Sequence, residues 1–169
     1  MTGRWIKDGV FADMTMEIDG RMVSNPTDEQ LRAAGFTPYV PTDTELLAQA
    51  KESKVQEIER YDTSDKVNGF KLNGAVFWLD KATRVGLMNS TTIAKAMGNE
   101  TTDLWLGEAR LTIGCDKVIQ LLSGIEMYAL ECFNTTARHK AEVQELKTVK
   151  EVEGYDVTEG YPNQLEINV

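Results

Sequence analysis

His139 is the one histidine in a chain of 169 residues, and Cys115 and Cys132 are its two cysteines. A histidine-dependent nucleophile or general base would have to use His139. Cys132 and His139 fall one heptad apart in a helical pattern and so share a face. With Cys115 they make a conceivable three-ligand zinc set. Lacking paired C-x-x-C or H-x-x-x-H spacing, the set is no motif, and His139 reads as a satisfied or solvent-facing helix histidine. The thiols read as reduced and buried. No stretch fits the phosphate-binding GxxxxGKS/T, the dinucleotide GxGxxG or the nucleophile-elbow GxSxG pattern. Glu126 with Glu131, and Glu142 with Glu145, are formally acid–base pairs, but Lys140, Lys147 and Lys150 alternate with the acids, as on a solvated helix face. The residues assign no catalytic, cofactor-binding or metal-binding position.

The element that must carry His139 is the longest helical pattern in the chain, Asp116 to about Val149. Val118, Leu122, Ile125, Ala129, Cys132, Thr136, His139, Val143 and Leu146 recur in steps of four and three, a heptad seam with a polar centre. A second stripe, Ile119, Leu121, Met127, Tyr128, Leu130 and Phe133, thickens the first half, which suits a domain core. The second half offers one thin seam. Two arrangements are open: a core helix, frayed or kinked near Asn134-Thr135-Thr136, or a surface for self-association. In the second, Val118, Leu122, Ile125, Thr136, His139, Val143 and Leu146 form an oligomer or partner interface. Thr136 and His139 would then set its register at a cost that hydrophobic substitution should recover. Against this stands an intramolecular pairing of the stripe with Leu46, Leu47, Ala50 and Ile58.

Residues 1–41 read as a small β-rich docking module. Asp8-Gly9 and Asp19-Gly20 sit between short alternating runs, a hairpin signal, because glycine takes the positive φ such turns need. Asn25 reads as the cap of a short helix with Pro26 in its first position, and Gly35 ends it. Residues 42–64 read as a polar connector helix with a narrow apolar stripe. Residues 65–169 read as the main α+β domain. There Phe70 to Leu79 is a hairpin about Asn73-Gly74, and its apolar second strand is expected to be covered on both faces, with Trp78 buried. Asp80 caps a helix running to Met97, and Asp103 to Ile113 reads as two strand pieces bent at Gly107-Glu108. A terminal strand covers Leu165 to Val169. The fold class is α+β: hairpin unit, connector helix, then a hairpin-plus-helix domain with a long C-terminal helix.

Hydrophobic residues are 41% and charged residues 27% of the chain, ordinary for a globular protein, and the formal charge is −9. No basic face stands out, so no nucleic-acid or anionic-membrane partner is expected. No apolar run approaches the roughly 20 residues a bilayer demands, and the first residues lack a signal peptide's apolar core, so synthesis and residence start in a cytoplasm.

Val67-Asn68-Gly69-Phe70, Phe77-Trp78-Leu79-Asp80 with Arg84, Thr102-Asp103-Leu104-Trp105, Tyr128-Ala129 with Cys132, His139 with Leu146, and Tyr155-Asp156 followed by Gly160-Tyr161-Pro162 form a further pattern. It resembles a family of unknown function found in tail-region and virion proteins of tailed phages and prophages of gut bacteria (crAss-like and related phages). Trp5 to Gly9 and Asn25-Pro26-Thr27 to Gly35-Phe36 look like the lead-in of the same small proteins. The resemblance implies a non-enzymatic structural or attachment protein of the virion: a tail-tip, fibre-attachment or capsid decoration subunit. Its partners would be other virion proteins (tail, fibre or portal-proximal) and copies of itself, after synthesis in the bacterial host cytoplasm. The alternative is a tail-fibre assembly chaperone not retained in the particle. No family role transfers to His139.

Overall fold

The computed structural model describes residues 4–106 and 108–168. The fold is α+β, in two compact units that divide after Leu46.

In the first unit, β1 (Trp5–Lys7) pairs antiparallel with β2 (Val10–Phe11). A separate hairpin joins β3 (Thr15–Ile18) to β4 (Arg21–Ser24). Asp8-Gly9 and Asp19-Gly20 take positive φ at both turn positions, as a type I′ hairpin requires. Helix α1 (Asp28–Ala33) follows, and then β5 (Thr37–Pro38) returns to the free side of β1. Trp5, Ile18 and Leu31 are the buried centre of this unit. The helix cap is Thr27, not Asn25: the Thr27 hydroxyl accepts from the Gln30 N–H while the Gln30 side chain accepts from the Thr27 N–H, satisfying two orphan donors reciprocally. Asn25 instead sits at φ +50° with its N–H on the Met14 carbonyl.

Helix α2 (Asp43–Asp62) starts on another such box, Thr42 with Glu45. The second unit then adds β6 (Phe70–Leu72), β7 (Ala75–Phe77), α3 (Lys81–Ala96), β8 (Thr101–Leu106), β9 (Ala109–Gly114), α4 (Cys115–Glu145), α5 (Val149–Glu153) and β10 (Glu166–Ile167). β6 is the central strand of its sheet, antiparallel to β7 and parallel to β10. β8 and β9 form a separate antiparallel ribbon. The expected bend at Gly107-Glu108 lies partly outside the described residues. Asp80 caps α3 through the Thr83 N–H at 2.9 Å, as its position before a helical pattern suggests.

The main core joins Phe70 and Leu72 to Leu104 and to Val118, Leu121, Leu122 and Ile125 of α4, with Phe77 and Leu79 packed against it. A second core joins Ile58 of α2 to Val143, Val152 and Val157, with Leu47, Ala50 and Leu146 alongside. The connector expected at 42–64 is therefore a working part of the second unit from Leu47 onward. Its polarity is compatible with packing because its lysines end other helices. Lys51 Nζ donates to the Gln144 carbonyl at 2.6 Å, and Lys54 Nζ donates to the Glu153 and Tyr155 carbonyls. The Gln144 and Glu153 carbonyls are orphan acceptors at the C-termini of α4 and α5, where a cation also opposes the helix dipole, and the Tyr155 carbonyl lies just past α5.

Four expectations need correcting. β7 is an edge strand, with Ala75 exposed and Val76 51% exposed, because β10 takes the other side of β6 and, among the described residues, no strand pairs with the free side of β7. Trp78 is 37% exposed, not buried: the chain leaves the sheet at Phe77 and turns into the cap of α3. α4 runs unbroken through Asn134-Thr135-Thr136 and stops at Glu145, short of Val149. It stops where Thr148 and Glu151 form a capping box for α5, the Glu151 carboxylate also accepting the Lys147 N–H. Lastly, Gly69, which from the sequence reads with Gly74 as a hairpin glycine, is needed for space instead: a Cβ there would stand 2.4 Å from the Asp65 carbonyl oxygen.

Candidate functional site

The expected seam turns inward, except that Ala129 reaches a surface cleft. Val118, Leu122 and Ile125 lie in the main core, Val143 is fully buried, and Leu146 is half-buried beside Leu47 and Ala50. Thr136 and His139 are buried as well. Packed within one chain, Val118, Leu122, Ile125, Thr136, His139 and Val143 present little or no surface to the second chain that the intermolecular reading of this stripe requires. The intramolecular pairing holds with Leu47, Ala50 and Ile58. Leu46, expected to join them, is exposed.

The polar centre of the stripe is bonded, not costly. The Thr136 hydroxyl donates to Asp62 Oδ1 at 2.7 Å and lies 2.7 Å from the Tyr161 hydroxyl, which donates in turn. His139 Nε2 faces the Glu159 carbonyl at 2.8 Å and, since a carbonyl only accepts, carries a proton. The Tyr155 hydroxyl stands between His139 Nδ1 (2.6 Å) and Glu142 Oε2 (2.5 Å). Tyr161 stacks on the His139 ring, and Tyr155 meets it edge-on. Burial, helped by the Glu142 carboxylate, holds the Tyr155 hydroxyl protonated well above the usual tyrosine range. These bonds fasten residues 155–161 to α4, a structural task that uses both nitrogens of the only histidine.

The zinc set is not assembled. Cys115 and Cys132 lie seventeen residues apart on one straight helix, about 25 Å along its axis. Cys115 Sγ approaches the Asn99 carbonyl, and Cys132 lies against Val67. Burial pushes the Cys132 thiol upward. Among the described residues no group of three or more His, Cys, Asp or Glu is placed to hold a metal ion. Nor is any described helix long and apolar enough to cross a membrane.

One feature open to a partner is a cleft of about 350 Å³ between the start of α3 and the outer face of α4. Glu126, Ala129, Leu130 and Phe133 line it from α4, at the i, i+3, i+4, i+7 spacing of one helix face. Trp78, Lys81 and Arg84 line it from the β7–α3 junction, with Asp62 and Asn68 at its edge. Leu130 is 47% and Phe133 67% exposed, and Met127 beside them is exposed too. The second apolar stripe therefore divides: Leu121 and Tyr128 go into the core, while Met127, Leu130 and Phe133 face outward. Arg84, at 6% exposure, forms the floor. Its Nε donates to Glu126 Oε2 at 2.6 Å and its Nη1 to the Leu79 carbonyl at 2.5 Å, and its guanidinium lies 5.3 Å from the centre of the Trp78 ring. The indole thus packs against a buried guanidinium whose carboxylate partner, Glu126, is half-exposed. None of the cleft was singled out as a site in the sequence, although the spacing of Glu126, Leu130 and Phe133 marks them as one face and the neighbouring Trp78-Leu79-Asp80 places an aromatic at a helix start.

No protein-family description, curated protein or solved structure matches this chain.

Proposed function

We propose that the protein is a non-enzymatic binding protein that serves in a tailed-phage particle as a tail-tip, fibre-attachment or decoration subunit. It engages its partner through the cleft bounded by Trp78, Leu130 and Phe133. The observation that carries the binding reading is this exposed aromatic face laid over the buried Arg84 and its half-exposed partner Glu126, since a cleft with large apolar walls and a few fixed polar groups is the usual form of a recognition site. The carboxylates in it are committed to structure, Glu126 to Arg84 and Asp62 to Thr136, which favours binding over acid–base chemistry. The phage setting rests on the resemblance of Val67 to Phe70, Phe77 to Asp80 and Tyr155 to Pro162.

Mass spectrometry of purified particles is the test of place. A symmetric copy number supports the structural subunit, whereas presence in the infected cell and absence from particles assigns the chaperone role. Incorporation should fall sharply with Phe133→Asp, whose side chain makes little of the core, and normal incorporation of that variant would remove the cleft from the reading.

A further inference from the structure

We infer that the cleft takes a neutral saccharide, one or two pyranose units laid against Trp78. This rests on the binding reading just given and supplies its ligand class.

The argument starts at Arg84. Its Nε and Nη1 are bonded within the chain, while Nη2 has no partner among the described residues. Yet among those residues no buried side-chain nitrogen or oxygen lacks a hydrogen bond. Nη2 must therefore reach solvent, and the solvent beside Arg84 is that of the cleft it lines. A purely apolar occupant, such as a leucine or phenylalanine side chain, would strip water from those N–H groups and return nothing. The occupant must bring an acceptor.

Charge says which kind. Asp62 and Glu126 balance Lys81 and Arg84, so the cleft has no net formal charge, in a chain whose total is −9. A carboxylate or phosphate would meet two acids for two bases, one of those bases already paired, and a repelling long-range field. A neutral acceptor meets no such penalty. Glu126, bonded to Arg84 through Oε2, keeps Oε1 for a donor, so donor and acceptor stand side by side on a rigid floor. Adjacent hydroxyls, each both donor and acceptor, match that pair. The walls supply the rest. The indole, anchored by Arg84, and the exposed Phe133 ring offer flat apolar faces to the C–H side of a sugar ring. A ligand with one apolar face and a rim of vicinal hydroxyls is a pyranose.

The test uses the full chain with an N-terminal affinity tag, applied to an array of neutral oligosaccharides with sialylated and sulfated glycans beside them. Hits are titrated calorimetrically, together with adenosine and a peptide ending in phenylalanine. Neutral glycans should bind, and Trp78→Ala should weaken the best of them about tenfold. Trp105→Ala, which removes an exposed aromatic outside the cleft, should leave it unchanged. Should Trp78→Ala melt early, Lys81→Met, at an exposed position on the cleft, must still weaken binding severalfold. The inference is overturned if no neutral glycan binds, if sulfated glycans, adenosine or the peptide bind tighter, or if both tryptophan variants lose affinity equally. A chain found in particles whose cleft ignores sugars loses the ligand class and keeps its place. A chain that binds sugars but is absent from particles does the reverse, and hydrolysis of the bound glycan would overturn the non-enzymatic reading itself.

Discussion

At the scale of single residues, Thr136 is the most informative. Its hydroxyl joins Asp62 to Tyr161, so replacing it with valine keeps the shape and leaves a carboxylate and a phenol facing an apolar group. Thr136→Val should therefore destabilise by about 1–3 kcal/mol in urea unfolding, the reverse of what a lone polar residue in a hydrophobic seam would give. Equal or greater stability in the variant would mean that the network adds nothing. Cys132 gives a second expectation. Burial first, and then the nearby carboxylates of Asp62 and Glu131, disfavour its thiolate. Alkylation by iodoacetamide near pH 8 should then be slow until the chain unfolds, and a rapid reaction in the folded protein would contradict the burial. The sequence marked both positions as belonging to one helix face but did not show what faces them. Asp62, Tyr161 and Val67 are far away along the chain, and nothing in local spacing indicates that they arrive there.

Among the elements, helix starts were the legible part. Asp80 was readable as a cap, and Thr27-x-x-Gln30, Thr42-x-x-Glu45 and Thr148-x-x-Glu151 each carry the pattern of a capping box. None of the three enters the reading of the sequence, which gives Asn25 as the first cap, and the last of them is why α4 ends early. The hairpin turns were legible for a similar reason, since Asp-Gly and Asn-Gly are demanded by backbone sterics alone. Burial of individual faces was not: β7 and Trp78 are as apolar as a covered strand, and only the order β10–β6–β7 leaves them outside. The caps have a pH consequence. Asp80 is held below its ordinary range by the Thr83 hydroxyl and N–H, Glu151 by the Lys147 N–H and the Thr148 hydroxyl and N–H, and Asp156 by the Thr158 N–H and hydroxyl. Each binds protons more weakly folded than unfolded. Its contribution is complete above the unfolded values, about 3.9 for Asp and 4.3 for Glu, and fades as pH falls through the lower folded values. The melting temperature should thus drop between about pH 5 and pH 2.5. Asp80→Asn, which keeps a capping oxygen but no longer titrates, should lessen the drop, and a melting temperature that rises on acidification would contradict the assignment.

For the whole molecule, the division after Leu46 has a direct test. The second unit contains both large cores, and a piece cut at residue 42 keeps the whole of α2 with its Thr42 cap. Residues 42–169 expressed alone should fold and melt in one cooperative transition, whereas the first unit, with Trp5, Ile18 and Leu31 as its buried centre, should be marginal by itself. Non-cooperative melting of 42–169 would show that the second unit depends on the first. Fold class was legible at this scale because strand-like and helix-like periods occupy different stretches of chain. The cleft was not, because it is made where three such stretches meet.

The parallel partner of β6 is β10, the last of the described strands. A ribosome releases its product from the N-terminal end, so β6, β7 and most of α4 emerge while Glu166 and Ile167 are still inside the exit tunnel or not yet joined. During synthesis the β10 side of β6 is an unpaired apolar edge, open to the same edge on a neighbouring nascent chain. Closing it is a long-range event that waits for β10 to be made, which makes Glu166 and Ile167 a step on which the yield of folded protein depends. Loss of that strand alone would spare almost every core residue and still leave each molecule with a sticky edge.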